Sequence, residues 1–176
     1  MTTGCGRTGN WFAYQHEDVA PDIMTMAKGL GGGVAIGAFT ATAEVAKSLI
    51  PGMHASTFGG NALACTAALA VFRLIDENDL LARGAELGAH ARDLLRDRIG
   101  GLDVVTDIRG RGMMLGVQLT VSGADVVNTC RERGLLINCT HDTVLRIYPA
   151  LNIARDDLDR GLGILADVLA ERQPTA

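Results

Sequence analysis

The stretch "DIMTMAKGLGGG", Asp22 to Gly33, sets an apolar run against a glycine cluster and puts one of the chain's two lysines, Lys28, at the junction. "VAIGAFTA" resumes just after Gly33, so two short apolar runs flank a glycine loop in the manner of buried strands. The glycines permit positive φ and close backbone approach, which a β-branched residue would forbid. An amine at a strand end, beside Ile23, Met24 and Met26, is expected to be partly desolvated, which favours its neutral, nucleophilic form. Such an amine can form a Schiff base; a lysine that snorkels to solvent and does nothing is the competing reading.

The glycines do not make a nucleotide motif. GxGxxG fails because Val34 stands at its last position, and a P-loop needs its lysine after the glycines. "HASTFGG" is more suggestive of anion binding: Ser56 and Thr57 lie with glycine-flanked amides just before a helix start, where negative charge is favoured. In "TVLRIYPAL", Arg146 sits among Val144, Leu145 and Ile147, so its guanidinium either seeks a planar anion or points to water from an edge strand. His141 and Asp142 are adjacent, but without further ligands nearby they read as a turn rather than a metal site.

Elsewhere the pattern alternates. "ATAEVAKSLI" reads as a short helix stopped by Pro51, and "WFAYQHED" as a short amphipathic turn or helix. Asn61 caps "NALACTAALAVFRLIDEN", whose apolar residues run round most of the helix, so burial on most faces, by passage between layers or subunits, is expected. From Asp79 a helix carries Leu80, Leu87, Ala91, Leu94, Leu95 and Ile99 on one stripe and ends at Gly100. Strands "VVTDI" and "MMLGVQL" around a tight "RGRG", helix "ADVVNTCRER", strands "LLIN" and "VLRIYP", and a last helix through "DDLDRGLGILADVLAER" then suggest a small α+β unit.

Composition narrows the classes. The 176 residues are 48% hydrophobic and 20% charged, an ordinary globular balance. A net charge of -4 without a basic block argues against nucleic acid. No run reaches the roughly 18 apolar residues of a membrane span and no signal peptide pattern opens the chain, so a cytoplasmic address is the default expectation. Cys5, Cys65, Cys130 and Cys139 are widely spaced, which favours free, mostly buried thiols over disulfides or zinc; Cys65, in a run of alanines and leucines, is expected to pack as a small apolar residue.

Four segments in order, "GRTGNWFAYQHEDVAPDIMTMAKGLGGGVAIGA", "HASTFGGNALACTAALAV", "RGRGMMLGVQL" and "GLLINCTHDTVLRIYPAL", together resemble the C-terminal half of class III pyridoxal-phosphate-dependent aminotransferases, and most of all the acetylornithine type. The resemblance implies an α/β plus α+β architecture. Residues 1–60 would be the C-terminal part of the fold type I large domain, residues 61–78 a buried connecting helix, and residues 79–176 the small C-terminal domain. It places Lys28 where the family's lysine bonds to pyridoxal phosphate and acts as the base, Thr57, with Ser56 beside it at the cofactor, where the cofactor phosphate is contacted from a neighbouring subunit, and Arg146 where a substrate carboxylate is held. A homodimer is thereby implied, as is amino transfer from N-acetylornithine or a related ω-amino donor, such as ornithine, succinylornithine or 4-aminobutyrate, to 2-oxoglutarate. The "RGRG" segment, Arg109–Gly112, matches a family turn read as structural.

The match has departures. In the family, a segment reading Asp-Glu-Val-Gln-Thr-Gly precedes "GRTG"; here Met1 stands for the valine and Thr2 for the glutamine, and the aspartate that pairs with the pyridine nitrogen would fall before Met1. The phosphate loop and the ring-stacking aromatic also belong to the upstream half. Asn61-Ala62 replaces the more usual asparagine-proline, a mild change because proline there only preorganises the first turn. Half a site is expected, together with an association-prone sheet edge at residues 22–41. Two alternatives to an active half follow: a non-catalytic chain that associates with a homologue through the Asn61–Asn78 helix, or a half that complements a separate N-terminal chain.

Overall fold

The computed structural model describes residues Thr2–Arg172; Met1, and with it the valine replacement, lies outside the described residues, as do residues 173–176. The chain divides into two compact units, the division falling between Leu81 and Ala82.

In the first unit, β1 (Ile23–Met26) pairs antiparallel with β2 (Ala38–Ala41), Met26 opposite Ala38. The pairing brackets the glycine loop, whose residues Lys28–Gly31 form a 3₁₀ turn. A single helical turn, α1 (Ala43–Ala46), follows, its first turn capped by the Thr42 hydroxyl accepting from the Val45 amide at 3.4 Å. The expected short turn or helix over "WFAYQHED" is a 3₁₀ turn at Ala13–His16. α2 (Ala62–Glu77) starts where Asn61 Oδ1 accepts from the Ala64 amide at 2.9 Å, so the cap works without the proline. The 3₁₀ turn lies on α2: Gly32, at φ 58°, is so close that a Cβ would sit 3.0 Å from Val71 Cγ2. Trp11 packs on Phe72 with ring centroids 5.1 Å apart.

Two expected burials are not met within this chain, for one reason. β1 and β2 are not buried strands, since Ile23 and Phe39 are each more than half exposed. α2 buries only the stripe Ala64, Ala68 and Ile75 and leaves Leu63, Leu69 and Leu74 in solvent. An apolar face demands a cover, and residues 2–81 supply one on a single side only.

The second unit holds the core. After α3 (Leu80–Ile99), strands β3 (Val105–Arg111), β4 (Met114–Leu119), β5 (Asn138–Thr140) and β6 (Val144–Ile147) form an antiparallel sheet in the order β3-β4-β6-β5. Helices α4 (Ala124–Glu132) and α5 (Arg155–Ala170) complete a two-layer α+β unit. Along β4, Leu115, Val117 and Leu119 point inward with strict alternation, and Leu145 and Ile147 do the same on β6. They meet Leu87, Ala91, Leu95 and Ile99 of α3, Val126 and Cys130 of α4, and Leu158, Leu162, Leu165 and Leu169 of α5 in one continuous core. "RGRG" is not itself the turn: Arg109–Arg111 belong to β3, and the reversal is the pair Gly112–Met113 between Arg111 and Met114. The "LLIN" strand is shifted later, beginning only at Asn138.

The cysteines are free, but Cys65 is exposed, contrary to its apolar sequence setting, because it falls on the uncovered side of α2. Burial pushes the Cys5 and Cys130 thiols up, the latter partly offset by Arg133 and Arg172. Alkylation at pH 8 is therefore expected to label Cys65 first, about ten-fold or more faster than Cys5 or Cys130. Peptide mapping of a time course checks this, and equal rates would contradict the burial assigned to α2.

Near the end of α5, Arg133 donates two hydrogen bonds to the Glu171 carboxylate, one of them at 2.9 Å, and these hold Glu171 below the usual carboxylate range. The folded value lies below the unfolded one, so the pair's contribution is present at neutral pH and is lost as pH falls through the folded value. Both groups are exposed, so the effect is small. The melting-point gap between the native chain and Glu171→Gln is expected to close on acidification; a gap that widens on acidification would contradict the assignment.

Candidate functional site

Lys28 follows β1 by two residues, and its backbone takes φ 57°, a left-handed conformation that costs a non-glycine residue on the order of 1–3 kcal/mol and tends to occur where a side chain must be aimed. The side chain is exposed, not desolvated among the methionines as its sequence setting suggests: Met24 and Met26 are half-buried, while Nζ reaches out to donate to Thr2 Oγ1 at 3.3 Å. Gly29 beside it leaves open space, with nothing within 4 Å of where a Cβ would lie. The other lysine, Lys47, is held by Glu44 at 2.6 Å on the surface of α1. The two amines thus differ in setting: one is aimed by an unusual backbone, the other is part of an ordinary surface ion pair.

Ser56 and Thr57 lie on an exposed turn that ends at the Asn61 cap of α2. Gly59 donates its amide to the Ser56 carbonyl at 3.3 Å, and a Cβ on Gly59 would fall 2.9 Å from Ser56 Cβ, so the turn closes tightly only with glycine there. Two hydroxyls and a run of amides ahead of a helix N-terminus are chemically suited to an anionic oxygen group. Lys28, Ser56 and Thr57 belong to the first unit and Arg146 to the second.

Arg146 is on β6, whose neighbours β4 and β5 are both paired to it, so it is not an edge-strand residue pointing freely to water. It is half-buried, its Nε donates to Asn138 Oδ1 at 3.1 Å, and its guanidinium carbon lies 5.8 Å from the centre of the Tyr148 ring, within cation–π range. Arg146 and Asn138 border a cavity of ≈ 410 Å³ whose other walls include Leu135, Ile153 and Leu158. Asn138 was not visible as a partner in the sequence, because its contact with Arg146 depends on strand register; Tyr148, two residues beyond Arg146, stands at the same-face spacing of an extended segment, the signal that could have found it.

His141 and Asp142 both sit at positive φ, 50° and 62°, and form the β5–β6 turn, with the Thr143 amide donating to the His141 carbonyl at 2.7 Å. Ser122 Oγ donates to Asp142 Oδ1 at 2.7 Å, which fixes that turn. Among the described residues no group of three or more His, Cys, Asp or Glu side chains is placed to hold a metal ion, and no helix is long and apolar enough to cross a membrane.

Comparison with known proteins shows which family the chain belongs to. The family Aminotransferase class-III matches residues 1–169. Acetylornithine aminotransferase 1 of Bordetella bronchiseptica is 43% identical over 171 residues, covering 97% of this chain and 44% of that protein. The acetylornithine aminotransferase of Methanocaldococcus jannaschii is 45% identical over 168 residues, 96% of this chain and 42% of its own length. Among solved structures, acetylornithine aminotransferase from Elizabethkingia anophelis superposes with a TM-score of 0.89 at 32% identity, over 96% of this chain and 44% of that one. The ornithine aminotransferase from Toxoplasma gondii, in a crystal with partial occupancy of PLP at its active site, gives 0.90 at 35% identity over 96% and 41%. The chain thus spans less than half the length of the relatives it matches. Both the sequence match along nearly the whole chain and the shared three-dimensional course place it in one family: the chain belongs to the class-III aminotransferases.

Proposed function

We propose that this chain is the lysine-bearing half of an acetylornithine-type aminotransferase that uses pyridoxal 5'-phosphate to move an amino group from N-acetylornithine, or a related ω-amino donor, to 2-oxoglutarate. The observation that carries the reading is Lys28: an exposed amine on a left-handed backbone at the glycine loop, in a chain 43% identical over 171 residues to a protein of that name. On this reading residues 1–60 complete a cofactor-binding large domain, residues 61–78 are the connecting helix, and residues 79–176 are the small domain.

The residues present fit the cofactor. The Lys28 amine is accessible to an aldehyde, and the Ser56–Thr57 turn offers hydroxyl and amide donors to a phosphate. When bound, the cofactor supplies an aldehyde for amine exchange and an electron-withdrawing ring that stabilises charge next to it. Nζ of Lys28 then has two tasks: to be the nucleophile that holds the aldehyde, and, once displaced by the donor amine, to carry a proton away from the donor carbon. Arg146 holds a substrate carboxylate through its outer nitrogens, since its Nε is already engaged by Asn138.

A second reading concerns assembly. Phe58 is 80% exposed and Leu63 73%, and with Leu69 and Leu74 they leave a broad apolar area around α2, which supports association of this half with a second copy or with a chain supplying the remainder of the family's length. The functional test is a coupled assay on the chain completed to the length of its relatives, with 2-oxoglutarate as acceptor. Turnover with N-acetylornithine is expected; activity confined to 4-aminobutyrate would reassign the donor.

A further inference from the structure

Four residues line up across the open face of the second unit's sheet. Asn138 of β5 is paired with Arg146 of β6, Arg146 with Gly116 of β4, and Gly116 with Arg109 of β3. Directly paired residues in an antiparallel sheet put their side chains on the same face, neighbouring strands being about 4.8 Å apart, so this is one continuous row: amide, guanidinium, gap, guanidinium.

The two arginines in the row are in different states. Arg109 is committed: Nη1 donates to Asp107 Oδ2 at 2.7 Å and Nη2 to Gln118 Oε1 at 3.3 Å, so its charge is compensated and its fork is spent. Arg146 makes no ion pair among the described residues: its Nε donates to Asn138 Oδ1 at 3.1 Å, and the guanidinium carbon lies 5.8 Å from the centre of the Tyr148 ring. The amide therefore does to Arg146 what a carboxylate would not: it fixes the plane of the guanidinium through the inner nitrogen while giving the charge no anionic partner and leaving both outer nitrogens open to a carboxylate.

On the other side of Arg146 from Asn138 stands Gly116 of β4. Nothing in the fold requires glycine there: a Cβ would meet only Val144 Cγ1 at 3.5 Å and the Leu145 carbonyl at 4.0 Å, ordinary contacts. Glycine inside a strand weakens it, and every other β4 residue of the alternation carries a side chain suited to a sheet. What the missing side chain provides is clear space beside Arg146, on the side away from Asn138.

We infer that Asn138 is a positioning residue for Arg146 and that Gly116 is the opening through which a planar carboxylate reaches the outer nitrogens of that arginine. The inference rests on the reading of Arg146 as a carboxylate anchor and adds how the sheet presents it.

The test uses the 176-residue chain, labelled with ¹⁵N-arginine. The Arg146 Nε–H resonance is assigned by its loss in Arg146→Lys, and 2-oxoglutarate is titrated while that resonance is followed. In the native chain a protected Nε–H and a saturable shift are expected. Asn138→Ala is expected to lose the protection and to weaken 2-oxoglutarate about ten-fold, whereas Asn138→Asp keeps an acceptor and so keeps the protected Nε–H even though its charge opposes the ligand. Gly116→Val is expected to keep the Nε–H signal and an unchanged or higher melting temperature, yet to lose most of the response to 2-oxoglutarate. If the native chain responds and both Asn138→Ala and Gly116→Val respond equally well, the positioning role is overturned while the anchor stands. If the native Arg146 resonance is protected but never responds to 2-oxoglutarate, the anchor reading itself falls. An Nε–H that is unprotected in the native chain contradicts the Asn138 contact directly.

Discussion

Replacing Gly88 by alanine is expected to lower the melting temperature of the unit that begins at Ala82 by about 12 °C or more. Gly88 is buried in α3 where the helix meets the β3–β4 reversal, and a Cβ there would lie 2.1 Å from the Gly112 carbonyl oxygen and 2.3 Å from its carbon. Those are backbone atoms of a two-residue turn clamped by the Arg111–Met114 pair, so they have nowhere to retreat without breaking register. Overpacking a tight interior costs about 1–3 kcal/mol and more where backbone must move; about 3 kcal/mol corresponds to roughly 12–24 °C in a domain of this size. The same exchange at Gly163 in α5 meets only Arg98 Nη1 at 3.6 Å, so Gly163→Ala is expected to stabilise by about 0.5–1 kcal/mol through helix propensity. Calorimetry on the two variants checks the contrast. A loss under about 4 °C for Gly88→Ala would mean that the reversal yields to the helix.

Removing the Arg146 fork is expected to weaken 2-oxoglutarate about 10- to 150-fold, the equivalent of about 1.5–3 kcal/mol for charge-assisted bonds to a planar carboxylate. Arg146→Leu removes both outer nitrogens and the charge, and Arg146→Lys keeps the charge but offers a point donor in place of a fork, so the lysine variant recovers only part of the loss. Neither change opens the core, because Arg146 faces away from Leu145 and Ile147, the buried residues of β6. Dissociation constants and melting temperatures measured together decide the matter: a weakened ligand with an unchanged melting temperature supports the anchor, and an unchanged dissociation constant places the carboxylate elsewhere.

Much of the second unit was legible in the sequence because its signals are local. The α3 stripe through Leu87, Ala91, Leu95 and Ile99 repeats at helical spacing, and β4 alternates residue by residue, so periodicity alone identifies the faces that meet in the core. The first unit was misread on burial although its strands and helix were found. The apolar residues of β1, β2 and α2 encode a need for cover, and a sequence does not say whether the covering residues lie in the same chain; Cys65 was misplaced with them. Lys28 was ambiguous from its neighbours and acquired a role only through the family resemblance, while its left-handed backbone could not be anticipated from a non-glycine residue. Asn138 and Gly116 were invisible for a different reason. Their relation to Arg146 exists only across strands, eight residues away along the chain for one and thirty for the other, and it needs the register of three strands to be known.

The central claim is that Lys28 is the cofactor lysine, and it is tested most directly by mixing the purified chain with pyridoxal phosphate, reducing with borohydride, and mapping the modified residue by peptide mass spectrometry, with Lys28→Ala as the control. The account predicts about one stable adduct per chain, confined to Lys28 and absent from the variant. Weak labelling shared between Lys28 and Lys47, unchanged by Lys28→Ala except for the missing site, would contradict it.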